Sequence, residues 1–173
     1  MSVRIVNRQV TDDRRADVEA FQQTAKRAGI DIEIKAVTPA VFFGADVANP
    51  DTNAKFWADI QMQQFTMNAP DPQAFMERFT SEQIAQKANK WASRNLVRWS
   101  NKEYDDTFKA AQVELDPVKR AAMFIKMNDL VCSDNYIIPV VYRPLTSGAV
   151  NNLVAPLSGW DNDLWLLKDW YRN

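Results

Sequence analysis

Phe65, Thr66, Met67 and Asn68 stand just before an Asp71-Pro72 step. They supply an aromatic ring, a hydroxyl, a thioether and an amide at what reads as the junction between a strand and a helix. Such a set can stack on a small solute and hydrogen-bond it, but none of these groups exchanges a proton near neutral pH, so the chemistry on offer is recognition. The competing reading is an ordinary strand-to-helix turn in which Asp71 merely caps. Asp59, in the same stretch, is either a buried paired carboxylate or, the commoner case, an edge carboxylate facing solvent.

Other candidates fall away on their chemistry. The chain has no His, which removes the usual proton shuttle, the commonest metal ligand and every Ser-His or Cys-His nucleophile. Its four Gly, at positions 29, 44, 148 and 159, form no phosphate-cradling loop, so nucleotide cofactors are not expected. Asp161 and Asp163 have the opening spacing of a calcium loop, yet that frame puts Leu166 where Gly is needed and Arg172 where the bidentate Glu belongs. Asp105 and Asp106 diverge by about 100 degrees on a helix and cannot face one another across a substrate; Glu114 and Asp116 offer no better pair. Lone Cys132, beside Leu130 and Val131, reads as a packed thiol. No cofactor, no metal and no catalysis are expected.

A basic ladder, Lys87, Lys90, Arg94, Arg98 and Lys102 with Trp91 and Trp99 interleaved, has the ingredients of a nucleic-acid module. Ser93, Asn95 and Ser100 break any single helix through it, and Glu82 and Glu103 flank it, so a solvated face is the stronger reading. Lys+Arg 21 against Asp+Glu 22 gives a net charge of -1, which supplies no global attraction for nucleic acid or anionic lipid. With 173 residues, 46% of them hydrophobic, the composition is that of a globular chain able to hold a core without staples. No window reaches the roughly 20 apolar residues of a membrane span, and no signal-like apolar region follows Met1.

The elements that must carry these residues follow from periodicity and caps. Val3 to Val6 reads as a strand. Thr11-Asp12-Asp13 then caps a helix whose apolar face is Val18, Phe21, Ala25 and Ala28, ended by Gly29. Ile30, Ile32 and Ile34 alternate with Asp31, Glu33 and Lys35, the period of a strand. The opening is β-α-β, with parallel neighbouring strands. Thr38-Pro39, Asp71-Pro72 and Asp116-Pro117 each begin a helix with a cap followed by proline. Ser100 to Glu103 reads as a capping box for a helix burying Tyr104, Phe108, Ala111 and Leu115. The helix from Pro117 to about Cys132 is apolar almost all round and is expected to be buried, except for a Lys119–Lys126 stripe. Phe56 to Phe65 and Ile137 to Tyr142 read as further strands. Loops at the carboxyl ends of parallel strands are where open α/β sheets bind ligands, which singles out residues 65–68. Leu145 to Asn173, with Trp160, Trp165 and Trp170, shows no period and is expected to pack on something.

Five stretches in order, Gly29 to Ile34, Asp59 to Asn68 with Asp71 to Phe75, Asn95 to Asp105, Asp116 to Arg120 and Ile138 to Tyr142, together resemble the C-terminal part of the family 5 extracellular solute-binding proteins of ABC importers, the peptide-binding and related proteins. The resemblance implies a periplasmic-binding-protein-like α/β lobe with a mostly parallel sheet flanked by helices. Residues 1–144 would be the second lobe of a two-lobed protein and residues 145–173 a tail that returns to the first. It also implies closure on a peptide or similar solute, delivery to a membrane permease, and a periplasmic or extracellular, membrane-associated location. In peptide-binding members an Asp a few residues before the Asp-Pro step pairs with the ligand's ammonium; that position is Asn68 here, and a neutral amide cannot make the charge-assisted bond. Relatives with similar wording carry a Cys pair near Ser81 and Ser100, so that staple is absent.

The reading is therefore a solute-binding lobe with Phe65, Thr66, Met67 and Asn68 facing the cleft and Trp91 and Asn95 as further ligand contacts. Its partners would be a small-molecule or peptide ligand, the missing first lobe, an ABC permease and, through an exposed cleft face, a second copy; nucleic acid is not among them. The rivals are a stand-alone interaction domain docking through its Trp-rich tail, a carboxylate hydrolase, and a nucleic-acid module using Lys87 to Lys102.

Overall fold

The computed structural model describes residues 2–8, 12–46, 48–67, 69–142, 148–156 and 166–173, with only the backbone described for residues 4–8 and 12–15. Strand β1 (Ser2–Arg8) leads through helix α1 (Asp12–Arg27) to β2 (Asp31–Val37). The two strands pair in parallel, from Ser2 opposite Asp31 to Arg8 opposite Val37, as the β-α-β pattern requires. After the short helix α2 (Pro39–Phe42), β3 (Ile60–Met62) joins the other side of β1, also in parallel, in the order β2-β1-β3.

Helix α1 ends as expected. Gly29 adopts φ +78, the left-handed region glycine enters without Cβ strain, while the Ile30 amide reaches back to the Ala25 carbonyl. Its buried stripe is narrower than the apolar pattern implied. Val18 and Ala25 pack with Val3 and Ile32, but Phe21 is 49% exposed and Ala28 lies in the following turn. Positions 21 and 22 flank the line through 18 and 25 on opposite sides, each about 50 degrees from it; on the 22 side Gln22 donates from Nε2 to the Ile32 carbonyl at 2.7 Å.

The chain divides into two compact units, each described by itself: unit 1 is residues 1–65 with 78–102, and unit 2 is residues 66–77 with 103–173. Unit 2 contains α3 (Gln73–Met76), most of α4 (Lys102–Val113), α5 (Pro117–Ser133) and an antiparallel pair, β4 (Leu153–Val154) with β5 (Tyr171–Arg172). Asp116 caps α5 by accepting from the Val118 and Lys119 amides, with Pro117 in the first turn. Tyr104, Phe108 and Ala111 are buried on α4 as the spacing predicts.

Several expectations need correction. Thr38 makes no side-chain cap; its carbonyl holds the Val41 and Phe42 amides instead. Helix α4 starts at Lys102, so Ser100 lies outside the cap position, and Leu115 is 94% exposed beyond the helix end. Helix α5 is not buried all round: Phe124, Met127 and Val131 are buried, while Val118 and Ile125 on the opposite side are exposed. The strand expected over Phe56 to Phe65 shrinks to Ile60–Met62, because residues 51–55 form turns and Phe56 sits at φ 37. Ile137 to Tyr142 forms no strand; Ile138, Val140, Val141 and Tyr142 are largely exposed. An apolar extended run becomes a strand only when another strand accepts its backbone bonds, and none among the described residues does.

Candidate functional site

Just past the carboxyl end of β3, the Phe65 ring is 37% exposed, and the Arg78 guanidinium carbon lies 4.6 Å from its centroid. The ring face holds a cation whose pKa is lowered by burial, with the positive charge of Arg94 adding to the effect. Thr66 is exposed and Met67 half-buried. Asn68 lies outside the described residues. Asp59 is exposed, the commoner of its two readings.

The segment from Thr80 to Trp99 is built on backbone that only a dense hydrogen-bond set can hold. Lys90, Trp91 and Arg98 all have positive φ, at 54, 63 and 55, a conformation costing side-chain-bearing residues on the order of 1 kcal/mol each. Asn95 provides much of what offsets this. It is 1% exposed, and its Nδ2 donates to the carbonyls of Trp99 at 2.8 Å, Thr80 at 3.0 Å and Phe79 at 3.4 Å. Its backbone bridges to the Gln83 carbonyl and the Ala85 amide. A side chain so enclosed organises the segment from within.

The same segment dissolves the basic ladder. From Lys87 to Arg98 only Lys87–Asn89 is helical, as a single 3-10 turn, and Lys102 belongs to the separate helix α4. Arg98 turns inward: its Nε donates to the Ala85 carbonyl, its Nη2 to those of Ala54 and Lys55, and its Nη1 to that of Phe56, while its guanidinium lies 5.2 Å from the Trp91 ring centroid. Trp91 is half-buried under that cation, and Trp99 is 2% exposed. An arginine holding four carbonyls is a structural tie, which sequence spacing alone disguised as part of a charged face.

In unit 2 the approach to α3 is fastened by Arg120. Its Nη1 donates to Asp71 Oδ2 at 2.8 Å, its Nη2 to Asp71 Oδ1 at 3.1 Å and Gln73 Oε1 at 2.9 Å, and its Nε to the Ala111 carbonyl at 3.0 Å. The guanidinium also lies 4.7 Å from the Phe124 ring centroid. Helix α3 begins one residue later than expected, with Pro72 at the cap position, yet Asp71 Oδ1 accepts from the Gln73 amide at 2.8 Å. Tyr104, fully buried, donates its hydroxyl to the Met76 carbonyl at 2.6 Å; burial first, then the Asp105 charge, pushes its pKa well above the ordinary phenol value, so it stays a donor.

The Arg120 hydrogen bond, then the Gln73 amide, lowers the Asp71 pKa from its ordinary 3.8. A carboxyl depressed in the folded state contributes stability that is present above its unfolded pKa and lost as pH falls through the folded one. Because the Asp71 side chain is 53% exposed, solvent screening limits this to about 1 kcal/mol. Urea unfolding of the wild type should therefore show a drop in stability below about pH 4 that Asp71→Asn lacks.

Among the described residues the remaining candidates converge on no shared site. Asp116 is occupied as a cap and Glu114 accepts from the Asp116 amide. Cys132 is free and half-buried, with Sγ 4.0 Å from Asn128 Oδ1. Asp161, Asp163, Trp160 and Trp165 lie outside the described residues. Ser81 and Ser100 meet, Oγ to Oγ, at 2.9 Å. The sequence reading missed the roles of Arg98 and Arg120, whose partners lie 9 to 49 residues away; the one available signal was an arginine set among apolar neighbours.

No family model matches the chain. The dipeptide-binding protein DppE of Bacillus subtilis (strain 168) is 30% identical over 125 residues, which are 72% of this chain and 20% of that protein. Among solved structures, the oligopeptide-binding protein from Thermus thermophilus, complexed with a pentapeptide, superposes with a TM-score of 0.64 at 18% identity, over 78% of this chain and 23% of that one. AppA from Bacillus subtilis, in complex with a nonapeptide, gives 0.63 at 16% identity, over 99% of this chain and 32% of that one. The ABC transporter substrate-binding protein CtaP from Listeria monocytogenes gives 0.60 at 18%, over 78% and 25%. At these identities the structures speak to the fold, and the alignment with DppE speaks to the sequence. Both agree with the five ordered stretches: the chain is a partial-length relative of the family 5 extracellular solute-binding proteins of ABC importers, with a periplasmic-binding-protein-like α/β fold.

Proposed function

We propose that this chain serves solute binding for ABC-type import, as part of a two-lobed protein that closes on a peptide or related small molecule and hands it unchanged to a permease. Residues 1–144 would be second-lobe sequence and 145–173 the tail returning to the first lobe, in the periplasm or outside the cell. The observation that carries the reading is the exposed Phe65 ring beyond β3 of a parallel sheet, in a chain aligned over 72% of its length with a dipeptide-binding protein. Its work is recognition by closure, with no bond made or broken. No helix among the described residues is long and apolar enough to cross a membrane.

In this reading Phe65 stacks on the ligand, Thr66, Met67, Asn68 and Trp91 are further ligand contacts, and Asn95 acts through the segment it organises. Calorimetric titration with a free-terminus pentapeptide and its N-acetylated analogue tests the assignment. Phe65→Ala should weaken binding roughly three- to tenfold, the worth of one aromatic contact, with little change in melting temperature. Because residue 68 is an uncharged amide, N-acetylation should cost the wild type little. Asn68→Asp should tighten the free-terminus peptide about five- to tenfold by restoring a charge-assisted bond and leave the acetylated one no better bound. Unchanged affinity in Phe65→Ala, or no saturable binding of either peptide, sinks the assignment.

A second reading, contact with another polypeptide, is favoured by the exposure of Ile138, Val140, Val141 and Tyr142. In the family frame that polypeptide is the first lobe, and solution mass measurement distinguishes it from a second copy of this chain.

A further inference from the structure

We infer that Arg120 is a positioning residue for the ligand-facing approach, holding the stretch that carries Thr66 and Met67 against α4 and α5. The functional half of this rests on the solute-binding reading above; the mechanical half rests on the contacts alone. Residues 69–72 are bends without a ladder or helix of their own, so backbone bonding does little to restrict them. Besides the Pro72 carbonyl, which accepts the Met76 amide, the side-chain tie on them is one guanidinium that takes both Asp71 oxygens and is itself held by Gln73 Oε1 and the Ala111 carbonyl.

A planar fork of this kind fixes direction as well as distance, which an ammonium cannot do. Asp71 completes the arrangement by accepting the Gln73 amide while bound to Arg120, so the first turn of α3 and the approach before it are set by the same carboxylate. The Phe124 ring under the guanidinium restricts the side chain further. Thr66 lies five residues from that anchor, and its available range shortens when Asp71 is pinned. Loss of the fork widens that range before binding, so part of the binding free energy goes to ordering the approach and affinity falls.

The test is amide hydrogen exchange on the whole chain, read at Gln73, whose amide bonds to Asp71, and Met76, whose amide bonds to the Pro72 carbonyl, combined with titration of the pentapeptide. Arg120→Gln should speed exchange at both amides about tenfold and weaken the peptide about fivefold, with amides in α1 unchanged within twofold. Arg120→Lys, which keeps the charge without the fork, should recover less than half of either effect. Acceleration spread evenly through α4 and α5 would make Arg120 a general stabiliser and overturn the inference, as would unchanged exchange. Should Arg120→Gln fail to fold, Asp71→Asn, which keeps an acceptor for the Gln73 amide, reads the same two positions. If the wild type binds no pentapeptide, the solute-binding reading fails, and the exchange pattern by itself then supports or overturns the clamp.

Discussion

Replacing Asn95 with leucine is expected to destabilise unit 1 by about 3–5 kcal/mol, because it strands buried carbonyls rather than because it empties space. Leucine keeps the branching of asparagine at Cγ and is larger, so it leaves no void, but it offers nothing to the Phe79, Thr80 and Trp99 carbonyls that the Asn95 amide now holds. Each buried carbonyl left without that donor loses about 1–3 kcal/mol of compensation. Asn95 Oδ1 accepts no hydrogen bond in the structure, so the donor side carries the effect. Asn95→Asp should be as damaging near neutral pH, since it turns an acceptor-only carboxylate toward three acceptors. Urea unfolding followed by tryptophan fluorescence is a direct reading, because Trp99 is in the same unit and 2% exposed. A loss below about 1 kcal/mol for leucine would show that the three contacts do not hold the segment.

The second large effect is a gain. The Ser81 and Ser100 hydroxyls touch across 19 residues of chain. Ser81→Cys with Ser100→Cys, in a Cys132→Ala background to prevent mispairing, should close one intramolecular disulfide. The chain-entropy model gives about 3 kcal/mol for a loop of this size. Mass spectrometry with and without reductant establishes the bond, and the difference in unfolding midpoint between the oxidised and reduced protein measures it. A bond that forms without stabilising would mean that strain in the bridged state cancels the entropy gained.

What was legible in the sequence was what depends on neighbours along the chain. The opening β-α-β unit rests on period-two isoleucines and on Gly29, and the Asp116-Pro117 start of α5 rests on a cap two and three residues from the amides that donate to it. What depends on distant partners was misread. Phe56 to Phe65 is apolar enough for a strand, but Phe56 sits at φ 37 with its carbonyl engaged by Arg98, and only Ile60–Met62 pairs with β1. Ile137 to Tyr142 has the composition of a strand and none of the pairing. For the candidate site, position could be inferred from the end of β3, which brought forward Phe65, Thr66 and Met67. Asn95 was also picked out, for ligand contact, while its enclosure by carbonyls depends on residues 15 and 16 positions away. Arg120 escaped notice because its partner lies 49 positions away.

Arg98 and Arg120 also differ in what surroundings they tolerate. Arg120 grips a carboxylate that solvent reaches, so added electrolyte and acid both loosen its hold. Arg98 grips neutral carbonyl dipoles, with no counter-charge to shield and nothing to protonate in the ordinary range. The loop at residues 54–56 is thereby secured in a way that brine and acidity leave intact, whereas the bend leading into α3 answers to both.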